Sequence, residues 1–288
     1  MDSKTVNDET LIHDLLRSLD GTPALVEAFF ASGTDPQPGS MASMERDAVR
    51  HDQFKLDMLT YAQKRSWLCV RASAESVRGL ARLLRPPPLM FMPGPVVRAG
   101  IESSGLACWM LSDGVSLEKR IQRAVAIRKQ DINEERGISE AGARAAEGDQ
   151  EAVLNEAVEW AAKQQEEFLR SASRTGLPAE RVPNDIGLAE LCDAGYEYRL
   201  STLLAHGTPL AFNAVEAMFR GRSSTNDSRG AIFLNYLTTA ANCFCQAAWA
   251  YGRYILGPSR VKELGNLLEQ TYDSLGMSDQ ARAYFRKG

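Results

Sequence analysis

The sequence predicts an all-α fold: a multi-helix bundle with a long central helix and a peripheral N-terminal helical arm. Three observations carry this. Long stretches repeat apolar residues at three- and four-residue spacing. Alternating Val/Ile/Thr-rich runs are nearly absent. Pro and Gly clusters punctuate the periodic stretches. With 288 residues, 44% of them apolar and 24% charged, the chain can bury a core, and disorder throughout is excluded.

The elements follow in order. Residues 9–31 read as one or two short helices, broken near Gly21-Thr22-Pro23. Residues 33–40 are loop by composition. Ser43 is the expected cap of a long helix that runs to about Leu84, with Arg46 where a capping box would want Glu. Pro86-Pro87-Pro88 stops it, and a loop spans 86–95. Pro95 suits the first turn of a helix over 95–111, which Ser112-Asp113-Gly114 ends. A helix over 117–135 opens after Ser116. The Gly-, Ala- and Glu-rich stretch 137–150 is expected to be flexible. Helices over 151–175, 186–206 and 209–220 follow, with Gly207-Thr208-Pro209 as a stop signal. A polar loop covers 221–228. The central helix is expected over 229–256, its successor over 259–275, and a short helix closes the chain. No repeat of fixed period occurs. The expected organisation is an arm over 1–40 and a single helical domain over 41–288.

Composition bounds the function. The net charge of −4 excludes a generally basic nucleic-acid coat, though not a local basic patch. Only His13, His51 and His206 are available, so a multi-histidine metal centre has little to work with, and no metal or cofactor is expected. Asp47 and His51, four apart, read as a helical ion pair before a metal site. Five cysteines without a regular framework fit a reduced, cytoplasmic protein, and Cys243 and Cys245 lack CxxC spacing. No signal peptide is expected. The stretch 231–252 carries no charge, yet Asn235, Thr238, Thr239, Asn242 and Gln246 interrupt it. Those groups are costly in lipid and easily satisfied inside a protein, so no membrane span is expected.

Charge is uneven. Between Lys64 and Arg98 the basic residues Lys64, Arg65, Arg71, Arg78, Arg82, Arg85 and Arg98 face Glu75 alone. Between Glu134 and Glu167 acids dominate. These are either solvated faces or, near 64–98, an anion-binding groove.

Several constellations could carry chemistry. Arg199 and His206 are seven apart, about 700° of helix, so their side chains point the same way. Cys192, Tyr196 and Leu203 share that stripe, which puts the pair at the edge of a packed face. An Arg and a His together can hold a phosphate and move a proton. The alternative is a His capping a helix end and an Arg paired with a carboxylate. Arg98 and Glu102, one turn apart, form either an intrahelical salt bridge or a group in which Glu102 orients Arg199 or His206. On the central helix, Asn235, Thr239, Asn242, Gln246, Trp249 and Arg253 form one stripe. Its amides suit interhelical hydrogen bonds, a polar ligand pocket or a partner interface. P-loop, Gly-x-Gly-x-x-Gly, Gly-x-Ser-x-Gly, His-Glu-x-x-His and Glu-x-x-His motifs are absent.

Arg199, six intervening residues and His206 resemble the Arg-x(4–6)-His pattern of the HEPN superfamily. Those are all-helical proteins of bacterial defence and toxin systems, many of them metal-independent ribonucleases. Around it, Arg98 and Glu102 followed by Tyr198, Ser201, His206 and Gly207 resemble a layout of bacterial, especially actinobacterial, helical proteins. The likeness spans about residues 60–256. Leu200 stands where the family usually has a polar residue, and the spacing is at the long end of the pattern. The resemblance implies a homodimer that binds or cleaves RNA or nucleotides. Arg199 would bind phosphate, His206 would act on the ribose 2′-hydroxyl or leaving group, Glu102 would assist, and Arg98, Tyr198 and Ser201 would line the site. Two other readings stand beside it: a non-catalytic helical interaction module, and a small-molecule enzyme or binder using Asn235 and Asn242.

Overall fold

The computed structural model describes residues 8–31, 35–85, 93–145, 149–178, 180–205 and 227–274. Among them are ten helices and no strand, so the chain is an all-α, multi-helix fold. The helices are α1 (Asp8–Phe30), α2 (Met41–Ala48), α3 (Gln53–Leu83), α4 (Pro93–Leu111) and α5 (Leu117–Ala145). They continue as α6 (Asp149–Arg174), α7 (Asp185–Glu190), α8 (Gly195–Ala205), α9 (Asp227–Ile255) and α10 (Pro258–Ser274). Of the expected loop over 86–95, residues 93–95 open α4 instead and the rest lie outside the described residues; the helix over 209–220, the closing helix and nearly all of the polar loop over 221–228 also lie outside them.

Several boundaries differ from the sequence reading, each for a local reason. α1 is continuous through Pro23, which is buried with Thr22, so packing carries the helix past the missing N–H. The expected helix from Ser43 to Leu84 is two helices. Ser40, not Ser43, caps the first, its Oγ accepting the Ser43 N–H at 3.2 Å. Asp52 caps the second, accepting the Lys55 N–H at 3.1 Å. That backbone bond, and then the Lys55 side chain, hold the Asp52 carboxyl below its usual range. The stretch 137–145, expected to be flexible, continues α5, because its alanines and glutamates are good helix formers. The expected helix 186–206 is α7 and α8, separated by a turn in which Asp193 takes φ 52°.

The helices group into two compact units, where the sequence suggested an arm and one bundle. The smaller unit spans 44–63 and 114–182. Its core joins Val49, Met58, Leu59 and Ala62 to Ile121 and Ala124, with Phe54, Val125 and Phe168 packed against them. Arg120, wholly buried on α5, gives its Nε to Glu45 at 3.1 Å, since a buried cation needs an anionic partner. α5 and α6 pack as a helical hairpin.

The larger unit spans 1–43, 64–113 and 183–288. α1 belongs to its core: Leu16, Leu19, Val26 and Phe30 are buried. The Phe30 ring meets Trp67 at 5.4 Å and Tyr251 at 5.3 Å. α9 is the central helix, nearly all buried from Tyr236 to Leu256, and it packs on α4, α10 and α1. α4 packs on α7 and α8 as well. Small residues permit this crowding. A Cβ on Gly105 would lie 2.3 Å from the Leu188 carbonyl oxygen, and one on Gly100 would lie 2.9 Å from the Ser76 Cβ. The buried Ser73 and Ser104 hydroxyls satisfy each other at 2.7 Å.

Gly105→Ala tests this close approach. In an open helix the change would stabilise by about 1 kcal/mol. Here the obstacle is the α7 backbone, which cannot move cheaply, so we expect a net loss of about 1–3 kcal/mol, read as a lower denaturant midpoint.

Candidate functional site

α4, α7 and α8 bring four polar side chains together in the larger unit. Glu102 of α4 accepts from Arg98 Nε at 2.8 Å and from the Tyr198 hydroxyl of α8 at 2.8 Å, both on Oε1. The same hydroxyl lies 3.2 Å from Asp185 Oδ2 of α7, so its one proton is shared between two carboxylates. Arg98 Nη2 approaches Asp185 at 3.6 Å, and its guanidinium stands 5.3 Å from the Tyr198 ring centroid. Burial first, then the Glu102 bond and the Asp185 charge, push the Tyr198 hydroxyl above its usual range. The Glu102 bond is also the first cause raising Arg98. One guanidinium against two carboxylates leaves the cluster without surplus positive charge, so it ties three helices and is poorly suited to receive a phosphate.

The other predicted residues fall into separate environments. Ser201 is buried, and its hydroxyl donates to the Tyr198 carbonyl at 2.8 Å. Glu102 engages Arg98 and Tyr198, not Arg199. His206 lies outside the described residues. Arg199 is exposed and makes no hydrogen bond or ion pair among the described residues. Tyr196 beside it is 70% exposed, and Leu203 further along the stripe is exposed too. The stripe expected at the edge of a packed face is therefore the outward face of α8. The turn at 191–194 resets the helix phase, so Ala194, Tyr198 and Ser201 face inward instead.

The chain matches no family model, no curated protein and no solved structure.

On α9, the polar stripe makes interhelical and local bonds. Asn242 Oδ1 accepts from the Tyr272 hydroxyl of α10 at 2.5 Å and from Gln246 Nε2 at 3.3 Å. Asn235 is half-buried, and its carbonyl accepts from Thr238 Oγ1 at 3.1 Å. Sequence periodicity missed Tyr236. It is buried, and its hydroxyl has no hydrogen-bond partner among the described residues. Burial pushes that hydroxyl up to about 12, and the nearby Tyr196 phenol adds to the shift. A tyrosine one position beyond an amide stripe carries no signal that separates it from ordinary core.

Cys108 and Cys192 are free thiols with sulfurs 4.0 Å apart. Both sit well above the ordinary thiol range: their mutual contact is the first cause at Cys108, whereas at Cys192 that contact lowers the value and the Cys243 contact and burial together outweigh it. Among the described residues, no group of three or more His, Cys, Asp or Glu could hold a metal ion, and no helix is long and apolar enough to cross a membrane.

Tyr198→Phe removes a hydroxyl shared by two carboxylates, and we expect a loss of about 1–2 kcal/mol. The pH dependence has a fixed sign. Because the folded protein holds the Tyr198 proton more tightly than the unfolded chain, stability falls as pH rises above the ordinary tyrosine value near 10. The Phe variant should lose that part of the alkaline slope, measured by chemical denaturation between about pH 8 and 11.

Proposed function

We propose that this protein binds RNA or a nucleotide through the outward face of α8, with Arg199 contacting phosphate. In this reading His206, seven residues on, completes an Arg-His pair of the HEPN kind and supports metal-independent cleavage at the ribose 2′-hydroxyl. One observation carries the reading: Arg199 is exposed and unpaired among the described residues, so no internal carboxylate competes with a phosphate for it. The exposed Tyr196 adds a ring on which a base can stack. Arg98, Glu102 and Asp185 position α8 through Tyr198 and stay off the substrate. The chemistry fits a cytoplasmic, bacterial defence or stress setting, and the five free cysteines suit a reducing compartment. The family resemblance makes a homodimer the expected assembly.

A second reading, a helical interaction module, draws on the 63% exposed Trp160 of α6. The small-ligand reading loses ground, because Asn242 is already bonded to Tyr272 and Gln246.

Single-stranded RNA with a fluorescent label tests the proposal. Binding should weaken with salt. Arg199→Ala should lower the slope of log affinity against log salt by about 0.7, the contribution of one phosphate contact. With chelator present, wild-type protein should cleave RNA, and Arg199→Ala and His206→Ala should each abolish cleavage while keeping their helicity. Binding and cleavage unchanged in Arg199→Ala would sink the proposal.

A further inference from the structure

Past residue 63, the exposed residues of α3 are Lys64, Leu68, Arg71, Ala72, Glu75 and Arg82. Lys64, Arg71 and Arg82 fall within about 20° of one another around the helix, because seven and eleven residues are both close to whole numbers of turns. They stand in one row, about 10 Å and then about 16 Å apart along it. None of the three has a partner among the described residues. Glu75 stands in the same row, and Arg78 holds it at 2.7 Å. Arg78 also holds Glu27, so that group keeps one surplus negative charge against the three cations. The face is therefore cationic, although the whole chain carries −4. Screening at physiological salt reaches only about 8 Å, so a ligand close to α3 senses the row rather than the whole chain.

A single row of cations fits a linear polyanion. A lipid surface would need an apolar face turned outward. On this helix Val70, Val77 and Leu80 are buried, which leaves Leu68 as the one large apolar residue outside. A protein partner would find no aromatic anchor on the face. The intervals between the cations are unequal. A flexible single strand can follow them, whereas a duplex presents its phosphates at fixed intervals. With no aromatic ring in the row to stack a base, the contacts go to phosphate and carry no sequence preference.

We propose that this row on α3 is a second nucleic-acid contact, one that holds the sugar-phosphate backbone of single-stranded RNA. The choice of RNA among linear polyanions rests on the reading of α8; the row itself does not. Lys64, Arg71 and Arg82 each take one phosphate, the two arginines through paired N–H donors and Lys64 as a point charge. Glu75, between the two arginines, repels the strand. Its removal therefore tightens binding, an effect that damage to the fold cannot produce.

Titration of the full chain with labelled poly(U) and poly(A) strands over a range of salt tests it. Lys64→Gln, Arg71→Gln and Arg82→Gln combined should lower the slope of log affinity against log salt by about 2, from about 0.7 per phosphate contact. Helicity should stay unchanged, since all three side chains are exposed. The loss should be equal on both homopolymers, because phosphate contacts read no base. Glu75→Gln should tighten binding about twofold at low salt, the effect of one unit charge about 10 Å away in water. Vesicles of phosphatidylserine and phosphatidylcholine should bind wild type no better than phosphatidylcholine alone. Binding to the anionic vesicles that the triple variant loses would overturn the proposal in favour of a lipid surface. So would an unchanged RNA slope in the triple variant, or a Glu75→Gln variant that fails to tighten binding. The two contacts separate cleanly. A slope that falls in Arg199→Ala but not in the triple variant keeps the α8 reading and overturns this one. A slope that falls in the triple variant but not in Arg199→Ala does the reverse. A wild type that binds no RNA overturns both.

Discussion

The contact between Gly105 and Leu188 is the constraint on which the candidate site depends. With no side chain at 105, the α7 backbone lies directly on α4. That approach carries Asp185, at the start of α7, toward Arg98 and Glu102. It also sets where the chain leaves α7, and so the angle at which α8 returns. Tyr198 then reaches both carboxylates with one hydroxyl. A bulkier residue at 105 would act on four polar side chains that it never touches.

The same geometry divides α8 into two chemically different sides. Its inner side, Ala194, Tyr198 and Ser201, is buried, and its polar atoms are satisfied. Its outer side carries Tyr196, Arg199 and Leu203 in solvent. A cation held by two carboxylates, as Arg98 is, has its charge neutralised and its donors occupied. A cation without an internal partner keeps both for a ligand. In the proposed RNA-binding reading, contact with an anion falls to Arg199, and the Arg98 group fixes the helix that presents it.

Much of this was legible in the sequence. Apolar periodicity predicted the helices, since their faces are buried at the spacing that a helix requires. The four-residue spacing of Arg98 and Glu102 placed them in contact, and they are in contact. The amide stripe on α9 suits interhelical bonds, a polar pocket or a partner interface, and Asn242 makes the first of these, to Tyr272. The phase of α8 was not legible. It depends on Asp193 adopting φ 52°, a conformation that Asp tolerates without announcing it. Continuous counting from Cys192 therefore put Arg199 on the wrong side. Nor was the break at 49–52 legible, because an Asp inside a charged helical stretch looks like surface until its carboxylate caps the next helix. His206 lies beyond the described residues, so its relation to Arg199 rests on spacing alone.

The distribution of paired and unpaired charge carries the remaining logic. Three arginines that approach the packed interior hold acids: Arg78 holds Glu27, Arg120 holds Glu45, and Arg123 holds Glu180, while Arg46 is held by the Gln63 amide oxygen at 2.7 Å. Desolvating a guanidinium without a partner costs several kcal/mol, which is why wholly buried Arg120 is paired. On the outward faces that requirement lapses. Arg199 on α8, Lys64, Arg71 and Arg82 on α3, and Glu156 and Glu167 on α6 have no partner among the described residues. Exposure explains why they need none: water solvates an outward charge wherever it stands, so pairing is required only where the chain takes a charge out of water.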